Sequence, residues 1–216
     1  MKAISLQGDA LSPDAVDEIV QALRDGALVG LPTPSGYKIA ADFADPKAVL
    51  SLIQAKRRVQ NAPALVLVPD KSWAENIADE LSPAAHALMA QFWPGPLTLL
   101  CAPSPNLDAA LRKSLTRAKG WLGLRMPSDA VSKAIVTAMK GPIVVSSANL
   151  SRKVGDISLA QVKKNFGRHL HLIVERGDIV NAQSSTLVDV SAKDVRIVRE
   201  GAVPADHIAG VLAQQA

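Results

Sequence analysis

Hydroxyls and an amide crowd the stretch Ser146-Ser147-Ala148-Asn149-Leu150-Ser151, directly after the apolar run Pro142–Val145. A buried strand that ends in such residues carries hydrogen-bonding groups to the rim of a sheet. Open α/β sheets bind ligands at that rim, although an ordinary polar turn has the same composition. Hydroxyls recur at two more strand exits, as Thr33 and Ser35 after Ala27–Leu31, and as Ser184 and Ser185 beside Leu187–Val190. Cations stand near three others: Lys56 with Arg58, then Arg125, then Arg199. Lysine offers a point charge and arginine a planar fork for phosphate or carboxylate. The run Lys56-Arg57-Arg58 also suits a helix C-terminus with no ligand at all. No Ser-His-Asp arrangement is visible, and neither GxxxxGK[ST] nor GxGxxG occurs. The set fits positioning and charge neutralisation. It suits substrates that bring their own nucleophile and leaving group, as when ATP adenylates an amino acid derivative.

The elements that must hold these groups alternate between helix and strand. Ser12-Pro13 reads as a cap and first turn, with Val16, Ile19, Val20 and Leu23 at helical spacing and Gly26 as the stop. Asp45-Pro46 opens a second helix with Val49, Leu50 and Ile53 inward. Ala64–Val68, Leu97–Cys101 and Trp121–Arg125 read as buried strands, the last delivering Arg125 to its end. Helices are expected over Lys71–Ala78, Ser82–Phe92, Leu107–Leu115 and Ser158–Phe166, and after a cap at Ser128. Leu170–Val174 and Val195–Arg199 close the strand set, and a last helix runs from about Pro204 to Leu212. No repeat or linker is evident. One mixed α/β domain over 1–216, with its core over about 12–203, is the economical reading.

Totals narrow the class. The 216 residues suit one large domain, and no apolar run approaches a membrane span. Cys101 is the single cysteine, so zinc held by paired cysteines is excluded. No HExxH arrangement exists, no side-chain metal site is identified, and a cytoplasmic location without membrane attachment is expected. Charge is uneven: residues 112–168 carry 12 basic and 2 acidic side chains, net +10, within a chain of net +4. Such a block suggests an anionic partner such as nucleotide or RNA, or simply a solvated basic face.

Seven short motifs then fall in one order. Phe92-Trp93-Pro94-Gly95-Pro96-Leu97-Thr98 resembles FWPGPLT, and Ser147-Ala148-Asn149-Leu150-Ser151 resembles SANxSG. Leu124-Arg125-Met126-Pro127 is similar to vRvP, Lys56-x-Arg58 to KxR, and Pro32-Thr33 with Tyr37 to PT[DE]TxYG. Ser184–Asp189 resembles sSTvvD, and Arg199-x-Gly201 resembles RxG. Together they resemble the YrdC/TsaC-type threonylcarbamoyl-AMP synthase family. That resemblance implies a twisted, mixed α/β sheet with flanking helices and a basic concave groove. It implies the reaction of L-threonine, bicarbonate and ATP to threonylcarbamoyl-AMP, diphosphate and water, with Mg²⁺ accompanying ATP. The product would pass to a tRNA-modifying transferase that acts on adenosine 37, with tRNA or double-stranded RNA as a further partner.

Carried over by motif, Thr33 would shape the first loop and, with Ser35, Arg125, Ser147 and Ser185, hold threonine. Lys56, Arg58, Asn149 and Arg199 would hold ATP, with Lys56 and Arg58 the catalytic cations. The chain departs from the pattern at Pro34, Ser35, Lys38, Val59, Ala62, Arg152 and Gly155. Lys38 replaces the glycine after the tyrosine and adds charge and bulk beside the pocket. Ser-Gly-Tyr and Val-Arg-Glu-Gly are closer to the YciO branch. The alternative is a YciO-like paralogue with weak or lost activity that binds RNA or nucleotide in the basic groove.

Overall fold

The computed structural model describes residues 1–55, 64–116, 120–149, 158–192 and 194–214. In chain order the elements are β1 (Lys2–Ser5), α1 (Pro13–Arg24), β2 (Leu28–Leu31), β3 (Lys38–Asp42), α2 (Pro46–Ala55) and β4 (Leu65–Leu67). Then come α3 (Lys71–Ile77), α4 (Pro83–Phe92), β5 (Leu97–Cys101), α5 (Ala109–Leu115), β6 (Leu122–Arg125) and α6 (Ala130–Met139). The chain closes with β7 (Ile143–Ser147), α7 (Leu159–Phe166), β8 (Leu170–Glu175), β9 (Thr186–Asp189), β10 (Arg196–Arg199) and α8 (Ala205–Ala213).

Local chemistry accounts for most helix starts. Ser12 and Ser82 each accept a backbone N–H three residues on, at 3.3 and 3.2 Å, and each is followed by proline. The cap expected at Ser128 is instead Asp129, whose Oδ1 accepts from Ser132 N at 2.9 Å. A carboxylate reaches the first free N–H better placed and adds favourable charge at the helix start. The sequence gives no expectation of β3. Its residues, Lys-Ile-Ala-Ala-Asp, are small and begin with a charge, so the strand shows no apolar alternation.

All ten strands form one mixed sheet in the order β1-β8-β2-β3-β7-β4-β6-β5-β9-β10. The unforeseen β3 pairs antiparallel with both β2 and β7 and so joins the two halves. Two apolar clusters line the two faces. Six helices, α2, α3, α4, α5, α7 and α8, bury Val49, Leu52, Ile77, Leu88, Leu111, Phe166 and Ile208 on one face. Among the described residues, α1 and α6 alone lie on the other, through Ile19, Leu23, Val131 and Ile135. The sheet residues under those two helices come from β1, β8, β2, β3, β7 and β4. No residue of β6, β5, β9 or β10 joins that cluster, so among the described residues this half of the second face carries no helix-packed apolar core.

Cations of the basic block are divided. Arg112 and Lys113 belong to α5 and Lys163 and Lys164 to α7, on the first face, whereas Lys133 belongs to α6 on the second. Arg117, Lys119, Arg152 and Lys153 lie outside the described residues. Both β1 and α8 lie beyond residues 12–203, and each adds to the packed core through Ile4 and Ile208.

Candidate active site

Two polar groups stand at the strand ends on the second face. The first begins where β2 leaves the core. Pro32 and Pro34 rule out a regular element, and Gly36 takes φ +95°, a conformation that side chains disfavour. The chain therefore reverses over Thr33–Gly36: Gly36 N donates to Thr33 O at 2.9 Å, and Thr33 Oγ1 donates to Gly36 O at 2.7 Å. Ser35 Oγ sits 3.2 Å from Thr33 Oγ1. Tyr37 anchors the turn from below. Fully buried, its hydroxyl donates to Gly177 O at 2.9 Å and accepts from Arg176 N at 3.0 Å. Burial is the main cause that pushes this phenol above its ordinary pKa.

Register then brings β7 to this turn. Lys38 lies directly opposite Ser147. Its Nζ donates to Ser147 Oγ at 3.1 Å and to Ser35 O at 3.2 Å, and the residue is only 8% exposed. Thr33, Ser35, Lys38 and Ser147 are thus one hydrogen-bonded group. Half-buried Asn149 follows Ser147 two residues on, and Ala148 N donates to Tyr37 O at 2.8 Å.

The second group gathers on β6, β5 and β9. Arg125 ends β6 and is 6% exposed. Its Nη2 lies 3.9 Å from Asp129 Oδ2, and its buried Nε has no hydrogen-bond partner. Desolvation lowers the guanidinium pKa, and the Asp129 charge opposes that. Parallel pairing of β5 with β9 puts Ser185 at the start of β5. Ser185 stands at a strand's beginning, not at an exit. Its Oγ lies 2.9 Å from buried Thr98 Oγ1, and Arg199 Nη2 donates to Ser185 O at 2.8 Å.

The neighbouring motif residues are architectural. Thr186 Oγ1 accepts from Gly201 N and Val203 N at 2.9 and 3.0 Å and donates to Val203 O at 2.6 Å. A Cβ on Gly201 would lie 2.3 Å from Ser184 O, so glycine there lets the chain pass against the Ser184-Ser185 backbone. In the FWPGPLT stretch the Trp93–Pro94 peptide is cis. Trp93 Nε1 donates to Leu97 O at 2.8 Å, and Gly95 N donates to Met126 O at 3.0 Å. That loop therefore holds the backbone just after Arg125.

The two groups share a face but not an edge. Val145 of β7 is level with Leu65 of β4, and Arg125 with Leu67. Ser147 thus lies beyond the Leu65 end of β4, and Arg125 at its Leu67 end. Between them the face is narrow in side chains: Gly123 precedes Arg125 by two, and a Cβ there would already meet Thr98 Cγ2 at 3.2 Å. Lys56, Arg58, Ala62, Ser151, Arg152 and Gly155 lie outside the described residues. Thr98 and Asp129 were not singled out from sequence. A threonine between Leu97 and Leu99 in a fully buried strand was the available signal for Thr98. Asp129 gave none beyond a helix cap.

A family profile described as telomere recombination, for Sua5, YciO and YrdC, matches residues 21–201. The chain belongs to the Sua5/YciO/YrdC family. A relative from Mycobacterium tuberculosis (strain H37Rv), named putative threonylcarbamoyl-AMP synthase, is 34% identical over 89% of this chain and 87% of its own length. Within the Sua5/YciO/YrdC family, the structure of Pyrococcus abyssi Sua5 complexed with L-threonine superposes with a TM-score of 0.84 at 25% identity. That match covers 98% of this chain and 60% of the P. abyssi protein. E. coli YciO superposes at 0.80 with 20% identity, over 94% of this chain and 96% of YciO, a likeness of fold.

Proposed function

We propose that this chain is a transferase that makes threonylcarbamoyl-AMP from L-threonine, bicarbonate and ATP, releasing diphosphate and water. The relationship to the mycobacterial relative, nearly end to end on both chains, carries this reading. The two buried polar groups on the second face, one where β3 meets β7 and one on β6, β5 and β9, support it.

In this reading the threonine amine and bicarbonate give a carbamate and water. A carbamate oxygen then attacks the α-phosphorus. That P–O bond forms as the bond to the β-phosphate oxygen breaks, and diphosphate leaves with the electron pair. The protein supplies no nucleophile, so the reaction is a nucleotidyl transfer in which alignment and charge carry the rate. Thr33 keeps the first turn closed through its bond to Gly36 O. Ser35, Ser147, Arg125 and Ser185 hold threonine. Asn149 and Arg199 hold ATP, and Lys56 and Arg58 supply the remaining cations.

Among the described residues no group of three or more His, Cys, Asp or Glu could hold a metal ion. Such a site fits Mg²⁺ that arrives on the ATP phosphates, where it neutralises charge, better than a dedicated carboxylate cage. The product, a mixed anhydride, would go to a transferase that modifies tRNA.

The test is diphosphate release from ATP, Mg²⁺ and bicarbonate with and without L-threonine, with the adenylate identified by mass. Threonine-dependent release with a product of the adenylate's mass is expected. Release that ignores threonine, or none at all while ATP still binds, would overturn the reading.

A further inference from the structure

The backbone around Ser185 is fixed from three sides. Ser184 O accepts from Ala202 N at 2.9 Å, Ser185 O accepts from Arg199 Nη2 at 2.8 Å, and Thr186 N donates to Pro96 O at 3.0 Å. The freedom that remains is rotation of the Ser185 side chain, and Thr98 Oγ1 stands 2.9 Å from its Oγ. Strand order decides how Thr98 presents itself. β5 runs between β6 and β9, and Thr98 has one branch for each neighbour. Its methyl Cγ2 lies over Gly123 of β6, and its Oγ1 meets Ser185 just before β9. A Cβ on Gly123 would stand 3.2 Å from that methyl, so glycine there gives the methyl its seat. A β-branched side chain is stiff at χ1, and seating the methyl therefore aims the hydroxyl. Two hydroxyls joined by one hydrogen bond carry two protons, and the bond uses one. Thr98 is 3% exposed, and among the described residues Ser185 is the partner of its hydroxyl. If Thr98 accepted, its own proton would be buried without an acceptor, which is unfavourable. Thr98 therefore donates. Ser185, where the proposed function places the amino acid, can then offer its proton to a ligand.

We propose that Thr98 is a positioning residue for the amino acid substrate. It acts through Ser185: by donating to Ser185 Oγ it fixes that side chain and leaves the serine proton for an oxygen of the bound amino acid. The inference rests on the proposed function, which gives Ser185 to threonine.

The experiment measures binding of L-threonine and of ATP to the full chain by calorimetry. Thr98→Val keeps the shape and removes the hydroxyl. It is expected to weaken L-threonine about fivefold and to leave ATP within about twofold. Thr98→Ser keeps the donor and is expected to hold L-threonine within about twofold of the unmodified chain. Ser185→Ala is expected to weaken L-threonine about tenfold. Adding Thr98→Val to it should change little further, because Thr98 acts only through Ser185. Equal losses for L-threonine and ATP, no loss in Thr98→Val or in Ser185→Ala, or a Thr98→Val loss that persists in the Ser185→Ala background overturn the proposal and leave Thr98 a part of the core. Thermal melts accompany each variant, and Thr98→Ala replaces Thr98→Val if that variant does not fold, with the same cycle read. If the unmodified chain releases diphosphate in a threonine-dependent way while the two substitutions are additive, this proposal alone fails. If the unmodified chain binds no L-threonine, the functional reading fails and takes the proposal with it.

Discussion

Over β1, β8, β2, β3 and β7 the second face of the sheet presents Ile4, Leu172, Val29, Ala40 and Ile143, and α1 and α6 close over them. Over β6, β5 and β9 the same face presents Gly123, Arg125, Thr98 and Ser185, with no helix-packed apolar cluster among the described residues. Both halves are buried, but in different mixtures: Lys38 is the charged group at the β3–β7 end of the first, and Leu100 is the buried leucine beside Gly123 in the second. Burying a polar or charged group is unfavourable unless something pairs with it. The first half returns stability for its burial. The second keeps an arginine whose Nε has no partner and whose nearest carboxylate stands 3.9 Å away. Polar groups held at that disadvantage are what a ligand-binding surface looks like before the ligand arrives.

Mutations can test that division. Replacing Arg125 by Ala should cost the most in activity. Threonine-dependent diphosphate release should fall on the order of 10²–10³-fold, while the melting temperature holds or rises, since a desolvated charge is removed. Normal turnover in this variant would make that half ordinary core. Ile135→Ala, under α6, should show the reverse signature. Its side chain is fully buried, so stability should drop by about 3 kcal/mol in denaturant melts. KM for threonine, measured where the variant is folded, should not move.

Asp129 lies on the border between the halves, because one oxygen caps α6 and the other faces Arg125. Asp129→Ala should lose about 1 kcal/mol from the cap. Asp129→Asn keeps the cap acceptor, so its melt should be near normal while KM for threonine rises severalfold through a less restrained Arg125. Equal behaviour of the two variants would blur the border. The smallest effect belongs to Cys101, buried on the six-helix face with its thiol pKa pushed up to about 12, chiefly by desolvation. The thiolate is the reactive form, so alkylation at mildly alkaline pH should be negligible in the folded chain and complete in denaturant.

Much of this was legible in the chain itself. Ser12-Pro13 and Ser82-Pro83 mark helix starts through chemistry confined to three or four residues. Leu97–Cys101 and Trp121–Arg125 read as buried strands, and the structure forms them over Leu97–Cys101 and Leu122–Arg125. Ser35, Arg125, Ser147 and Ser185 were singled out by motif; Arg125 and Ser147 end strands, Ser185 precedes β9, and Ser35 lies in the turn between β2 and β3. β3 was missed because Ala40 and Ala41 give no alternation, yet it is the strand that seats Lys38 against Ser147. Thr98 was passed over because its partner, Ser185, is 87 residues away.

Local signals thus determined most of the helices and strands, though not β3, and also which residues carry hydroxyls and cations and the family to which the chain belongs. These depend on neighbours within a turn or on residue identity alone. The tertiary structure decided the rest. Strand order put β3 between β2 and β7, and the parallel pair β5–β9 brought Ser185 to Thr98. The uneven sharing of the described helices, six on one face and two on the other, left part of one face to Arg125, Thr98 and Ser185 beside Leu100. Those choices are made by apolar surfaces far apart in sequence finding one another. No window of neighbouring residues contains that information.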